Sequence, residues 1–424
     1  MRAFLASAIG VTCTAALVLP LAAPADASAA PARENDLPGS TQSLPLDALS
    51  PSTRATGAPA GEQGLTERDV RPFSMVGVVW DDAEAELHGT AQVRTRAAGT
   101  RSWSGWQDLE THNAEHAPDP GSAERAAGTV KGSTAPLWVG ASDGVQVRVR
   151  PEAPATGDAA SVPLPAGLHL ELVDPGEDPQ DVTGAAGADR TAGQESVALP
   201  ALDRAETETE TEAAAGLAPA AKPYIGPRPR IVTRKGWGAD EKLREKAFAY
   251  TKSVKAAFVH HSATGNSYSC SQAPSVIRGI YRFHVKSNGW RDLGYNFMVD
   301  KCGNIYEGRA GGVTKAVMGA HTLGFNANTM GIAVLGTYSS SNPPAAAVTA
   351  VSGLTAWKLG LFGADPRGKV TLVSGGSTTY KKGKKVKLNV ISGHRDGFAT
   401  ECPGARLYKK LGTARTTSAR LQGR

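Results

Sequence analysis

Cysteine is scarce in this chain, with 4 in 424 residues, which excludes a scaffold built on disulfides and leaves each thiol to be explained singly. Aromatic residues make up only 6% beside 27 Pro and 48 Gly, a balance that suits two modest domains plus linker rather than one large core. After residue 21 no apolar run is long enough to cross a bilayer, so no stable membrane insertion of the mature chain is expected. Acidic side chains thin out in the second half: residues 225–424 hold 31 Lys and Arg against 9 Asp and Glu, whereas residues 1–224 hold 15 against 31. The total of +6 therefore hides an acidic half near −16 and a basic half near +22. Charge alone would tolerate nucleic acid, but there is no recognisable reading element, and no nucleic acid is expected as a partner.

Residues 1–29 open with Arg2, run apolar from Phe4 to Leu21 and reach Ala25-Asp26-Ala27, the layout of a cleaved secretory signal peptide. An uncleaved anchor is the competing reading, weakened by Thr12, Cys13, Thr14 and Pro20. The exported product keeps Cys270, Cys302 and Cys402. Residues 30–68 are Ala, Pro, Ser, Thr and Gly with scattered charge and are expected to be disordered. Residues 69–176 change to short alternating runs such as Met75–Trp80, Val145–Val149 and Leu168–Val173, which predicts a small all-β sandwich. Its Trp80, Trp103, Trp106 and Trp138 have two readings, core packing or a carbohydrate-stacking platform. Residues 177–223 form a second, acidic linker, in which Glu206 to Glu212 alternate Glu with Thr and are expected to repel one another into an extended spacer. A basic tail is expected at residues 413–424.

Residues 224–412 read as one α/β domain with a central mixed β-sheet flanked by helices. Ala256–Val259 is a short buried strand that delivers His260 and His261 at its end. Ser275–Lys286 places Val276, Ile277, Ile280, Tyr281 and His284 at helical spacing, and His284 reads as a core histidine. Tyr295, Phe297 and Val299 return through Ile305–Glu307 as a hairpin. Met330–Leu335 is a further buried strand, Ala345–Leu361 a second helix, and a hairpin of Val370–Val373 and Val386–Val390 presents His394.

His260, His394 and Cys402 are residue types that bind zinc, and two imidazoles with one thiolate suffice for Zn²⁺ while leaving a fourth position for water. No tight motif joins them, so spacing alone leaves coincidence open. Cysteine arithmetic bears on this. Cys270 and Cys302, at the start of the first helix and in the hairpin turn, can form a disulfide that closes a loop of 32 residues, freeing Cys402 as a ligand. The rival assignment puts Cys402 in a disulfide with no metal and leaves two histidines unexplained.

Five blocks in order resemble the peptidoglycan recognition protein family: FVHHSA (Phe258–Ala263), GWRDLGYNFMVD (Gly289–Asp300), GNIYEGR (Gly303–Arg309), GAHTLGFNANTMGIAVLG (Gly319–Gly336) and GHRDGFATECPG (Gly393–Gly404). That family adjoins the zinc-dependent N-acetylmuramoyl-L-alanine amidases of the phage lysozyme type. TRKGWGA (Thr233–Ala239) resembles the segment that precedes the amidase core, and the likeness spans about Arg230 to Leu407. The resemblance implies that His260, not His261, ligates zinc with His394 and Cys402, and that Tyr295 and Thr400 act as catalytic residues beside the metal-bound water and the scissile carbonyl. Non-catalytic members of the family typically lack the cysteine, so its presence favours catalysis. Phage-type relatives carry lysine where this chain has Thr400, which leaves the general base open. Glu401 points away from the Thr400 and Cys402 face if the segment is extended.

His321 is placed at the cleft floor as a substrate contact. Trp290 and Arg309 join it, with packing as their equal alternative. The expected partner is peptidoglycan, both glycan strand and stem peptide, with anionic wall polymers drawn to a basic domain whose Lys381, Lys382, Lys384, Lys385 and Lys387 cluster. A monomer that is secreted, extracellular or associated with the cell wall is expected. The alternative function is recognition of peptidoglycan without turnover.

Overall fold

The computed structural model describes residues 39–50, 61–111, 113–153, 162–177, 196–215 and 224–424. The expected signal peptide, residues 1–29, lies outside the described residues. Pro38–Arg424 form one compact unit, built from an all-β front domain and an α/β domain.

The front domain contains β1 (Ser40–Pro45), β2 (Asp47–Ala48), β3 (Gln63–Trp80), β4 (Gly89–Ala97), β5 (Gln107–Leu109), the short helix α1 (Ala123–Ala126), β6 (Gly132–Ser133), β7 (Leu137–Pro151) and β8 (His169–Asp174). They form one antiparallel sheet in the order β1-β8-β3-β7-β4-β5, with β2 and β6 paired to β3. Two strands, β3 and β7, run through the whole sheet, and register shifts between Leu65 and Met75 bend it over a shared core. Leu65, Val76, Val78, Trp80, Val93, Val147 and Leu170 meet there. The all-β expectation holds, and its layers are continuous through β3 and β7. Trp80 and Trp138 are buried, whereas Trp103 and Trp106 are half-buried and face arginines, Arg148 lying 3.9 Å from the Trp106 ring.

The α/β domain continues through β9 (Ala198–Leu199), α2 (Arg204–Ala215), β10 (Ile231–Val232), β11 (Ala256–His261), α3 (Ala273–Arg282), β12 (Phe297–Val299), β13 (Ile305–Glu307), β14 (Thr329–Val334), α4 (Ala345–Gly360), β15 (Lys369–Val373), β16 (Lys385–Asn389), β17 (Ile391–Gly393), α5 (Ala405–Tyr408) and α6 (Leu411–Gln422). Its mixed sheet runs β17-β11-β14-β12-β13-β10-β9. The central strands are apolar on both faces because α4 and α6 cover one side and α3 the other. Val259, Ile332, Leu354 and Trp357 pack on the first, and Ile277, Tyr281, Met298 and Leu335 on the second.

Three expectations are corrected where the structure describes them; residues 30–38 and 51–60 of the first segment and 178–195 and 216–223 of the second lie outside the described residues. The segment 30–68, expected to be disordered, contributes β1, β2 and the start of β3; Leu44 pairs with Leu170 and Leu46 is buried in the core, so a few apolar residues suffice where a neighbouring strand supplies the partners. The acidic linker 177–223 contributes β9, which extends the α/β sheet beside β10, and α2. The Glu/Thr alternation is helical because Asp203 and Glu206 cap each other, the N–H of Glu206 donating to Asp203 Oδ1 and that of Asp203 to Glu206 Oε2, both at 2.8 Å. Arg228 neutralises Glu210 and donates its N–H to the buried Thr207 hydroxyl. The basic tail 413–424 is most of α6, whose small and polar face, Ala414, Ser418 and Gln422, packs on α4 through Ser418–Thr355 and Gln422–Ala356 hydrogen bonds.

The two domains share a core. The run Met75–Trp80 is buried on both faces because Met75 and Val79 point out of the front domain onto α3, joining Trp138, Val173, Ile277, Ile280 and Tyr281 in one cluster. Gly77 has no side chain where the ring of Phe283 enters; a Cβ there would stand 2.6 Å from it.

Cys270 and Cys302 form a disulfide across 32 residues, tying the start of α3 to the β12–β13 turn. Replacing both by Ser is expected to lower stability by about 3–4 kcal/mol. The check is a lower urea midpoint, with stability unchanged by the double replacement counting against a structural role for the link.

Candidate metal centre

β11 and β17 are parallel neighbours with Val259 opposite Gly393. The next residues, His260 and His394, therefore emerge side by side at the carboxyl ends of the strands, where open α/β sheets place ligands. Both are fully buried. Cys402 is returned to the same point by the loop after His394, held by a bond from the Arg395 N–H to the Cys402 carbonyl and one from the Cys402 N–H to Thr400 Oγ1, 3.0 and 3.1 Å.

The structure adds a fourth donor that sequence reasoning missed. His116, from the front-domain segment between β5 and α1, places Nε2 3.3 Å from His260 Nδ1, 3.1 Å from His394 Nδ1 and 3.7 Å from Cys402 Sγ, and Sγ lies 3.7 Å from His260 Nδ1. The four donor atoms all lie within 4.8 Å of one another. Four ligands around tetrahedral zinc would stand about 3.3 Å apart for two imidazole nitrogens and about 3.6 Å for nitrogen and sulfur. The donor set thus fits zinc in both chemistry and spacing. The local hints at His116 were His112 four residues before it and the polar, non-alternating run from Glu110 to Pro120 inside a strand-rich domain.

Burial dominates the electrostatics. It holds His260 and His394 well below the ordinary imidazole range, helped by their neighbouring histidines, and His116 down to about 3. All three are neutral, the form that ligates. Burial also raises the Cys402 thiol well above its usual value; a bound cation would reverse that by stabilising the thiolate. The side of His260 remote from the cluster is fixed by His321, whose Nδ1 lies 3.3 Å from His260 Nε2 and 3.0 Å from Thr322 Oγ1. Gly331 makes room for that ring, since a Cβ would fall 2.4 Å from it.

Tyr295 and Thr400 both line the cavity beside Cys402. Burial, then Cys402 and Glu115, push the Tyr295 phenol well above its ordinary range, so it remains an O–H donor. Burial raises the Glu115 carboxyl to about 8 against the lowering influence of the Thr400 hydroxyl. His261 turns away to accept the Tyr338 N–H at 3.3 Å, and exposed Glu401 pairs with Arg395.

The three expected substrate contacts are all buried, and Arg309 also lines a cavity of about 80 Å³ beside Glu124 and Arg291. His321 is fully buried behind His260, in the space that Gly331 leaves for its ring. Trp290 is buried, its ring 4.4 Å from that of His284, whose Nδ1 accepts the Gly294 N–H. Arg309 is buried in a paired bond with Glu124 of α1, 2.8 and 2.9 Å. The cavity at the centre is reduced to about 10 Å³, room for a single water.

A family pattern described as N-acetylmuramoyl-L-alanine amidase matches residues 250–405, and one described as the Rv3811 N-terminal galactose-binding domain-like family matches residues 27–166. Peptidoglycan-recognition protein SC2 of Drosophila simulans is 34% identical over 185 residues, 43% of this chain and 85% of that protein. The human N-acetylmuramoyl-L-alanine amidase is 32% identical over 137 residues, 32% of this chain and 20% of that protein. Among solved structures, wild-type Drosophila PGRP-LB is similar over 43% of this chain and 93% of its own, at 28% identity and a TM-score of 0.35.

The Glu124–Arg309 pair makes a pH prediction. Burial raises the Glu124 carboxyl, but the charge and hydrogen bonds of Arg309 and the Arg291 N–H outweigh it and hold the group below its ordinary 4.5. Its contribution is therefore complete above pH 4.5 and is lost as pH falls through the lower folded value. Glu124→Ala, which leaves Arg309 buried and alone, is expected to cost about 3–5 kcal/mol at neutral pH and to flatten the acid limb of the stability profile. Thermal unfolding from pH 3 to 7 reads both.

Proposed function

The chain belongs to the peptidoglycan recognition protein family, and from that premise we propose that it is an exported, zinc-dependent N-acetylmuramoyl-L-alanine amidase, hydrolysing the amide between N-acetylmuramic acid and L-alanine in peptidoglycan. The observation that carries this reading is the convergence of His260, His394 and Cys402 at the strand ends, with donor spacing that suits zinc and with Tyr295 alongside.

In this reading His260, His394 and Cys402 hold the ion. When bound, zinc supplies a Lewis acid for the scissile carbonyl and lowers the pKa of a water toward neutrality. The chain's own residues do the rest. His321 fixes the ring of His260, and the protonated Tyr295 hydroxyl donates to the oxygen that gains charge as the amide is attacked. Thr400 has no charge to give and can only orient or donate, so it does not replace a lysine as base. Lys381, Lys382, Lys384, Lys385 and Lys387 are exposed on and beside the β15–β16 hairpin, a solvated cationic face suited to holding the enzyme near anionic wall polymers. Among the described residues no helix is long and apolar enough to cross a membrane.

One observation favours the second reading, binding of peptidoglycan without turnover: His116 joins His260, His394 and Cys402 as a fourth donor, and a metal held by four protein ligands keeps no position for a reacting water.

The mature protein is expected to carry one zinc per chain, with Cys402 outside any disulfide. It should release stem peptides from purified peptidoglycan over a prolonged incubation, and chelation or Cys402→Ala should abolish that release. Binding of wall that is equal with and without zinc, together with no peptide release from any form of the protein, would establish the receptor reading instead.

A further inference from the structure

Residues 113–131 are not explained by the front domain's own core. Asn113, Glu115, His116 and Glu124 are polar yet buried, and a buried irregular segment must have its polar groups satisfied from somewhere. The α/β domain supplies most of the partners. The Leu323 N–H donates to the Glu115 carbonyl at 2.8 Å. Asn326 Nδ2 donates to the Ala117 carbonyl and to Asp119 Oδ1 at 2.8 and 2.6 Å, and the Gly324 N–H donates to the same carboxylate oxygen at 2.7 Å. The Arg291 N–H and the Arg309 guanidinium both reach Glu124. Thr129 Oγ1 donates to the Gly289 carbonyl at 2.8 Å, and the Lys131 N–H to that of Asn288 at 3.1 Å. The segment is a strap laid across the metal centre and anchored on both sides of it.

The strap also uses the groups that a substrate would need. His116 adds the fourth donor, and Glu124 occupies Arg309. Catalytic zinc sites keep one position open for water, whereas sites with four protein ligands are closed. The three expected ligands fall within the residues that match the amidase family, and His116 falls within the match to the galactose-binding-like family. Closure is therefore a property of the two domains together.

Resting on the zinc-amidase reading, we propose that this fold is a latent form of the enzyme, in which His116 of the front domain takes the fourth metal position and the strap 113–124 fills the substrate cleft, so that activity requires the strap to withdraw. The docked core of Met75, Val79, Trp138 and Val173 on α3 keeps the front domain in place, so the strap itself is the moving part. Its anchors are polar, exchangeable for water, and confined to a few residues.

The test uses the full chain loaded with Co²⁺ in place of zinc, with azide as a probe for a free coordination position. The wild-type visible spectrum is expected to be tetrahedral and insensitive to azide, and that of His116→Ala to shift on azide addition and saturate. With zinc, His116→Ala should release stem peptides roughly tenfold to a hundredfold faster than wild type, the factor expected if the open form is a minor population. Glu124→Gln keeps every ligand and loosens one anchor; it should give a partial azide response and an intermediate rate, and it serves in place of His116→Ala if that variant does not fold. An azide response in wild type equal to that of the variants, or none in a folded His116→Ala, overturns the proposal. Azide binding restricted to the variants, with no peptide release by any of them, upholds the closed centre and instead sinks the amidase reading.

Discussion

The structure depends on one register. Because Val259 lies opposite Gly393 in a parallel pair, two imidazoles leave the sheet at the same height and on the same side, inside a core that lets neither take up a proton readily. Everything around the site serves that pairing. The glycine at 331 admits the His321 ring behind His260, and the loop from Arg395 closes on Cys402 through its own backbone bonds. A shift of one residue in either strand would send one histidine to the opposite face of the sheet.

The front domain is joined to this centre by two kinds of contact with different physical character. Met75, Val79, Trp138 and Val173 bury an apolar seam against α3, which is non-directional and holds the domains as one body. The strap contributes directional contacts: hydrogen bonds to Leu323, Gly324 and Asn326, and the Glu124–Arg309 pair, with side chains only 4% and 6% exposed. The opposite net charges of the two halves thus find one specific expression in a buried ion pair, while the lysines on and beside the β15–β16 hairpin remain free for solvent or for anionic polymers.

This arrangement bears on how a family that includes both binders and hydrolases can share a fold. The sheet and its flanking helices bring His260, His394 and Cys402 together within the residues that match the amidase family. The fourth donor, His116, arrives from more than a hundred positions away, on a domain of a different family.

Much of this protein was written locally. Alternation marked the front domain as all-β, helical spacing marked α3 and α4, and the blocks around His260, His394 and Cys402 carried the family because chain segments next to one another must satisfy the same local geometry. What local pattern could not express was decided by tertiary contact. Glu206 to Glu212 read as an extended repulsive run until Asp203 and Arg228 capped and neutralised it, residues 411–422 hid a helical face made of small and polar side chains, and Leu44 and Leu46 needed a partner strand to become core. His116 is the extreme instance: apart from His112 four residues earlier, its own neighbourhood does not distinguish it from a loop histidine, since a candidate metal donor is defined by where three other donors stand, and those stand 144 and more residues further along the chain.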